Sequence, residues 1–186
     1  MLFRSGGVDI RFAALATAVA ARGESADPRS AIDNRSIRIR PFDFGGIWTD
    51  RDVMEYSLVC MDDAVAEFSV DEDRVYALGF SAGGHGVWGI PARYPDRFAG
   101  IGPTAASSGT AADRLENLLK VPVYIVHGLR DDVIPAERFS DPLFRQLEAW
   151  NADAVYVRAA GLGHESPDEF RIRSEERRVG KECRSR

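Results

Sequence analysis

Arg74-Val75-Tyr76-Ala77-Leu78-Gly79-Phe80-Ser81-Ala82-Gly83-Gly84 is an apolar run that ends on a serine fenced by glycines. Val75 to Phe80 predicts a short buried strand and Ser81 onward a helix, so the serine sits at a strand-to-helix corner. The G-x-S-x-G spacing of Gly79, Ser81 and Gly83 has a steric reason. A serine on so sharp a turn takes a strained backbone conformation, and only small residues two places to either side avoid a clash. The corner lifts the hydroxyl clear of the sheet and aims the next helix's N-terminus at a reacting carbonyl. In a chain with 17 glycines the spacing also arises by accident, so its weight comes from the strand before it, the helix after it and the residues downstream.

Working outward toward the N-terminus, Asp52 to Phe68 predicts the longest helix, with Val53, Tyr56, Leu58, Val59, Val65 and Phe68 as its buried stripe. Phe42 to Asp50, holding Gly45-Gly46 and Trp48, reads as a loop with aromatics to line a pocket. Ser36 to Arg40 alternates Ile37 and Ile39 with Arg38 and Arg40 and predicts a short strand closed by Pro41. Residues 24 to 34 read as loop. Ile10 to Arg22, with Ile10, Ala13, Ala14, Ala18 and Ala21 in a helical period stopped by Gly23, predicts a helix.

Toward the C-terminus, the helix from Ser81 runs to about Arg93, with Pro91 expected to kink or shorten it. Gly100 to Thr104 predicts a strand, Asp113 to Lys120 a short helix and Val121 to His127 a buried strand. Ala136 to Asn151 predicts a helix interrupted near Pro142, and Ala154 to Arg158 a last strand. Alternating strands and helices imply an α/β class with a mostly parallel sheet covered by helices on both faces.

The two ends read differently. Arg173 to Arg186 resembles the in-frame translation of a sequencing-library adapter, and Leu2-Phe3-Arg4-Ser5 resembles the adapter's other end. Residues 1–5 and 173–186 are therefore expected to be non-native, leaving 6–172 as a single, partial domain. The end segments hold seven basic and three acidic residues. Without them 24 Lys+Arg and 29 Asp+Glu fall to 17 and 26, and the formal charge goes from −5 to −9. An acidic balance of this kind offers no basic face to nucleic acid, and no apolar run approaches the roughly 20 residues of a membrane helix. One cysteine remains, Cys60, within an apolar-periodic helix; it reads as core packing and says nothing of redox compartment.

A serine hydroxyl needs a base to take its proton, and the base needs an acid to hold its tautomer. Of three histidines, His85 is one helical turn after Ser81 and reads as surface or packing. His127 ends a strand before Gly128 and reads as a buried, backbone-bonded ring. His164 follows the last strand in a loop opened by Gly161 and Gly163, where a turn can swing an imidazole over the sheet's carboxyl end, and it is the expected base. The acid is expected between them, in His127-Gly128-Leu129-Arg130-Asp131-Asp132. Asp131 is preferred because the chain turns there before Val133-Ile134-Pro135 re-enters the core, and Asp132 is the alternative or a helix cap. Trp88 reads as packing. Trp48 and Phe80 read as pocket or core.

With these residues in view, 6–170 resembles the α/β-hydrolase-fold serine esterases of the dienelactone hydrolase, polyhydroxybutyrate depolymerase and prolyl oligopeptidase-like group. Gly79 to Gly84 is similar to their nucleophile elbow, His127-Gly128 through Asp131 to Ile134-Pro135 to their acid loop, and Gly163-His164-Glu165 to their histidine loop. Asp71 to Tyr76 and Arg93 to Phe98 resemble that subgroup as well. The resemblance implies ester hydrolysis through a Ser81, His164, Asp131 triad and an acyl-enzyme, with the Ala82 backbone N–H in the oxyanion hole. It implies no cofactor or metal and a small-molecule ester as partner. It also implies missing strands before residue 6 and missing chain after Arg171, with Gly6-Gly7 as the remnant of the loop giving a second oxyanion donor; the chain alone is then expected to be a weak catalyst. The rival readings are a prolyl-oligopeptidase-type peptidase and an inactive, binding member of the same fold.

Overall fold

The computed structural model of the chain describes residues 8–14, 36–39, 50–68 and 70–165. The expectations for both chain ends, for residues 15–34 and for Trp48 lie outside these. Six strands make one sheet: β1 Val8–Ala14, β2 Ser36–Ile39, β3 Val70–Phe80, β4 Gly100–Thr104, β5 Val123–Gly128 and β6 Ala154–Ala159, in the order β2-β1-β3-β4-β5-β6. The four strands from β3 to β6 run parallel, so each is joined to the next by a crossover over a face of the sheet. All described residues of β4 and β5 are buried, as central parallel strands must be.

The helix expected from Ile10 is not formed at its start. Val8–Ala14 is a strand, antiparallel to β2 and to β3, with Val8 opposite Gly79 and a register shift between Phe12 and Ala13. Val8, Ile10 and Phe12 alternate with Asp9 and Arg11, a period-two signal that competes with a helical period built mostly from alanines. Gly6-Gly7, expected to be a loop remnant, lie outside the described residues.

Among the described residues three α-helices flank the sheet: α1 Arg51–Glu67, α2 Ala82–Arg93 and α3 Ser140–Ala149. The face α1 buries is Met54, Ser57, Met61 and Ala64, a three-to-four-residue recurrence. Val53, Leu58 and Val65 pack at its margins, while Tyr56, Val59 and Phe68 are exposed, correcting the predicted stripe. Cys60 is half-buried, not core. Ser57 satisfies its buried hydroxyl on the Val53 carbonyl at 3.0 Å.

Helix α2 holds Gly83, Gly84, Gly86, Gly89 and Pro91, a composition that disfavours an isolated helix by roughly 1 kcal/mol per glycine and about 3 for the proline. Tertiary packing overrides this, because nine of its residues are buried and Val87, Trp88 and Ile90 enter the core with Ile101, Leu118 and Ile125. The helix continues past Pro91 to Arg93. The short helix expected near 113–120 is a 3₁₀ run, Gly109–Leu118. Pro142 does not interrupt α3. It lies in the first turn, where a missing N–H costs nothing, so the helix begins at Ser140 and not at Ala136.

Candidate active site

The corner at Ser81 has the predicted form. Its φ of 54° and ψ of −119° lie where a non-glycine residue is strained, by about 1–3 kcal/mol. Two backbone bonds hold it there: Ser81 N–H donates to the Thr104 carbonyl at 2.9 Å, and the Ser81 carbonyl accepts from His85 N–H at 3.0 Å. A Cβ on Gly79 would meet the Gly83 carbonyl oxygen at 2.4 Å, and one on Gly84 would meet Ala106 Cβ at 2.5 Å. Glycine is thus required by how closely the strand, the helix and the loop after β4 approach one another. Ala82 opens α2, and an N–H in that position has no acceptor in its own helix.

Residues far apart in sequence meet above this corner. His164 Nε2 is 2.9 Å from Ser81 Oγ, and His164 Nδ1 is 2.8 Å from Asp131 Oδ2. An ionised carboxylate only accepts, so His164 Nδ1–H donates to Asp131 and leaves Nε2 free to accept the Ser81 hydroxyl. Asp131 is buried while Asp132 is exposed, which separates the two adjacent acids. Asp131 Oδ1 accepts from Val133 N–H at 3.0 Å and Ile134 N–H at 2.7 Å. Burial pushes the Asp131 carboxyl up. The Ile134 N–H, the His164 hydrogen bond and the charges of His164 and His127 together outweigh it and hold the group below its ordinary value.

The two loops that carry the acid and the base fit because Gly128 has no side chain. A Cβ there would stand 2.4 Å from the carbonyl oxygens of both Leu162 and Gly163. Arg130 N–H donates to the Leu162 carbonyl at 2.9 Å, and Leu129 N–H to that of Ala159 at 3.0 Å. Phe80, half-buried, lays its ring 5.1 Å from that of His164 at a tilt of 42°, so it supports the imidazole. Trp88 is fully buried, as expected.

His85 is half-buried, with Nε2 3.4 Å from Ser107 Oγ. Burial first, and the charge of His164 second, lower its pKa. His127 is fully buried, with Nε2 on the Ile134 carbonyl at 2.7 Å and Nδ1 2.6 Å from Ser140 Oγ. The sequence reading anticipated the backbone bond but neither Ser140 nor the approach of His127 Nε2 to Asp131 Oδ2, at 3.2 Å. The His-Gly dipeptide was the available signal. Among the described residues no cluster of His, Cys, Asp and Glu could hold a metal ion, and no helix is long and apolar enough to cross a membrane.

No family model matches the sequence. A protein of Nocardia uniformis subsp. tsuyamanensis named "Putative esterase NocK" is 31% identical over 91 residues, 49% of this chain and 26% of that protein. In structure the chain is similar to a thermostable esterase, with a TM-score of 0.64 and 19% identity over 86% of this chain and 43% of that one. It is also similar to MGS-MChE2, an alpha/beta hydrolase enzyme from the metagenome of sediments of the lagoon of Mar Chica, Morocco, with a TM-score of 0.52 and 16% identity over 83% of each chain. The chain spans about a quarter of the curated relative it matches and less than half of the thermostable esterase. With a mostly parallel sheet that turns into a helix through a strained serine, and a likeness to such proteins over most of its length, the chain has the α/β-hydrolase fold.

Proposed function

We propose that this chain is the catalytic part of a serine hydrolase that cleaves carboxylic esters through Ser81, His164 and Asp131. The observation that carries the reading is the hydrogen-bonded run from Ser81 Oγ through His164 to Asp131, at 2.9 and 2.8 Å. The likeness of the chain to proteins described as esterases supports it. His164 Nε2 takes the hydroxyl proton as Ser81 Oγ attacks the ester carbonyl. Asp131 stays ionised, orienting the ring and stabilising the imidazolium. The oxyanion forms against the Ala82 N–H, and one such donor is worth about 2.7–4 kcal/mol of transition-state stabilisation. Collapse of the adduct expels the alcohol, which receives its proton from His164. Water then attacks the acyl-enzyme with His164 again as base, releasing the acid and restoring Ser81.

Fluorophosphonate labelling and hydrolysis of short p-nitrophenyl esters test the reading together. Ser81→Ala is expected to abolish labelling, and His164→Ala to lower kcat by about 10⁴-fold or more. Labelling that survives Ser81→Ala, or esterase activity untouched by His164→Ala, refutes it. Turnover of peptide anilides in preference to esters would assign the same residues to a peptidase.

A further inference from the structure

Asp131 faces two imidazoles, and the reaction proposed above uses one. His127 Nε2 stands 3.2 Å from the same Oδ2 that His164 Nδ1 approaches at 2.8 Å. Beyond His127 lies a second serine: Ser140 Oγ is 2.6 Å from its Nδ1. One carboxylate oxygen thus faces two histidines, each followed by a serine. The two arms differ in burial. Ser140 is 1% exposed and His127 0%, so no substrate reaches them, whereas the His164 side chain is 19% exposed.

Both groups within reach of His127 Nε2, the Ile134 carbonyl and the Asp131 carboxylate, only accept. The proton is therefore on Nε2, while Nδ1 lies 2.6 Å from Ser140 Oγ, which also has the Ala106 carbonyl as an acceptor at 3.4 Å. Ile134 is held at both ends, its carbonyl by His127 and its N–H on Asp131 Oδ1 at 2.7 Å. Ser140 is the first residue of α3, so the ring ties that helix to the acid loop.

We propose that His127, with Ser140 behind it, is a positioning residue for the triad: its Nε2–H pins Ile134 beside Asp131 and places a donor dipole against Oδ2, fixing how the carboxylate meets His164. This rests on the ester-hydrolase reading of Ser81. A buried ring with no catalytic contact would serve for packing alone. The measure of the difference is whether replacing its N–H, rather than its volume, governs turnover.

The test compares His127→Gln, which keeps an N–H at the position of Nε2, with His127→Leu, which keeps bulk only. On p-nitrophenyl acetate, His127→Leu is expected to lower kcat by about tenfold or more with KM within about twofold, the scale of leaving one buried carbonyl without its hydrogen bond. His127→Gln is expected to stay within about threefold of the parent. Equal loss in both variants, or full activity in His127→Leu, overturns the proposal. A parent chain that neither labels nor turns over refutes the ester-hydrolase reading instead. A readout independent of activity covers that case and any failure of a variant to fold. In ¹⁵N-resolved NMR of the parent, His127 must carry its proton on Nε2, and that resonance must move on Asp131→Asn. A proton on Nδ1 alone, or a resonance indifferent to Asp131→Asn, overturns the proposal.

Discussion

Gly128→Ala isolates the contact between the two loops that carry the proposed acid and base. The new Cβ would stand 2.4 Å from the Leu162 and Gly163 carbonyl oxygens and 2.7 Å from the Leu162 carbonyl carbon. Ordinary contact begins near 3.4 Å, and the obstructing atoms are backbone, so the histidine loop must retreat by about 1 Å. His164 follows directly on that segment, and its bonds at 2.9 and 2.8 Å do not survive such a displacement. A misplacement of this size costs about a hundredfold in rate. Overpacking costs roughly 1–3 kcal/mol of stability, partly offset by about 0.4–1 kcal/mol from restricting the unfolded chain. The expected result is a folded protein, seen by thermal unfolding, whose fluorophosphonate labelling rate and esterase kcat fall about a hundredfold. A Gly128→Ala protein with parental labelling and turnover would refute the claim that this close approach sets the position of His164.

Four other outcomes follow from the same coordinates. Gly79→Ala brings a Cβ to 2.4 Å from the Gly83 carbonyl oxygen, and is expected to displace the start of α2 and abolish labelling; retained labelling would show that the elbow tolerates a side chain. The lowered pKa of His85 means that the folded protein takes up this proton at lower pH than the unfolded chain. Its contribution to stability is therefore full above about pH 6.5 and drains as pH falls toward the folded value. Denaturant titrations of His85→Gln should show a flatter loss of stability in that window, and an unchanged slope would contradict it. Asp131, also lowered, contributes in the same sense at lower pH, with stability present above about pH 4 and lost as pH falls through its folded value. Among the described residues Trp88 Nε1 has no hydrogen-bond partner, so Trp88→Phe, which removes that donor, should cost well under the roughly 3–5 kcal/mol of Trp88→Ala. Equal melting temperatures for the two variants would argue otherwise.

The parallel part of the sheet and the serine at its turn were legible in the sequence because their signals are local. A short apolar run flanked by small residues fixes a buried strand and its corner, and glycines beside a histidine mark a loop that can bend over the sheet. Ser81, Asp131 and His164 were named on those grounds, and their side chains lie within hydrogen-bonding distance in the structure; their catalytic role is the proposal made above. The helix expected from Ile10 begins instead within a strand, because alanines suit a helix while Val8, Ile10 and Phe12 suit a strand. Pairing with Val70–Phe80, some 60 residues on, resolved the conflict.

What the sequence by itself determined was the class of fold, the corner that presents Ser81 and the loops that end in an acid and a histidine. Only the tertiary structure decided which face α1 buries, that Gly128 is the seat of the histidine loop, and that His127, backed by Ser140, approaches the same Asp131 oxygen as His164. The physical reason is one of range. Strand, helix and turn preferences act over a few neighbouring residues, whereas the fit of a carbonyl against a missing Cβ depends on where two distant backbones come to lie.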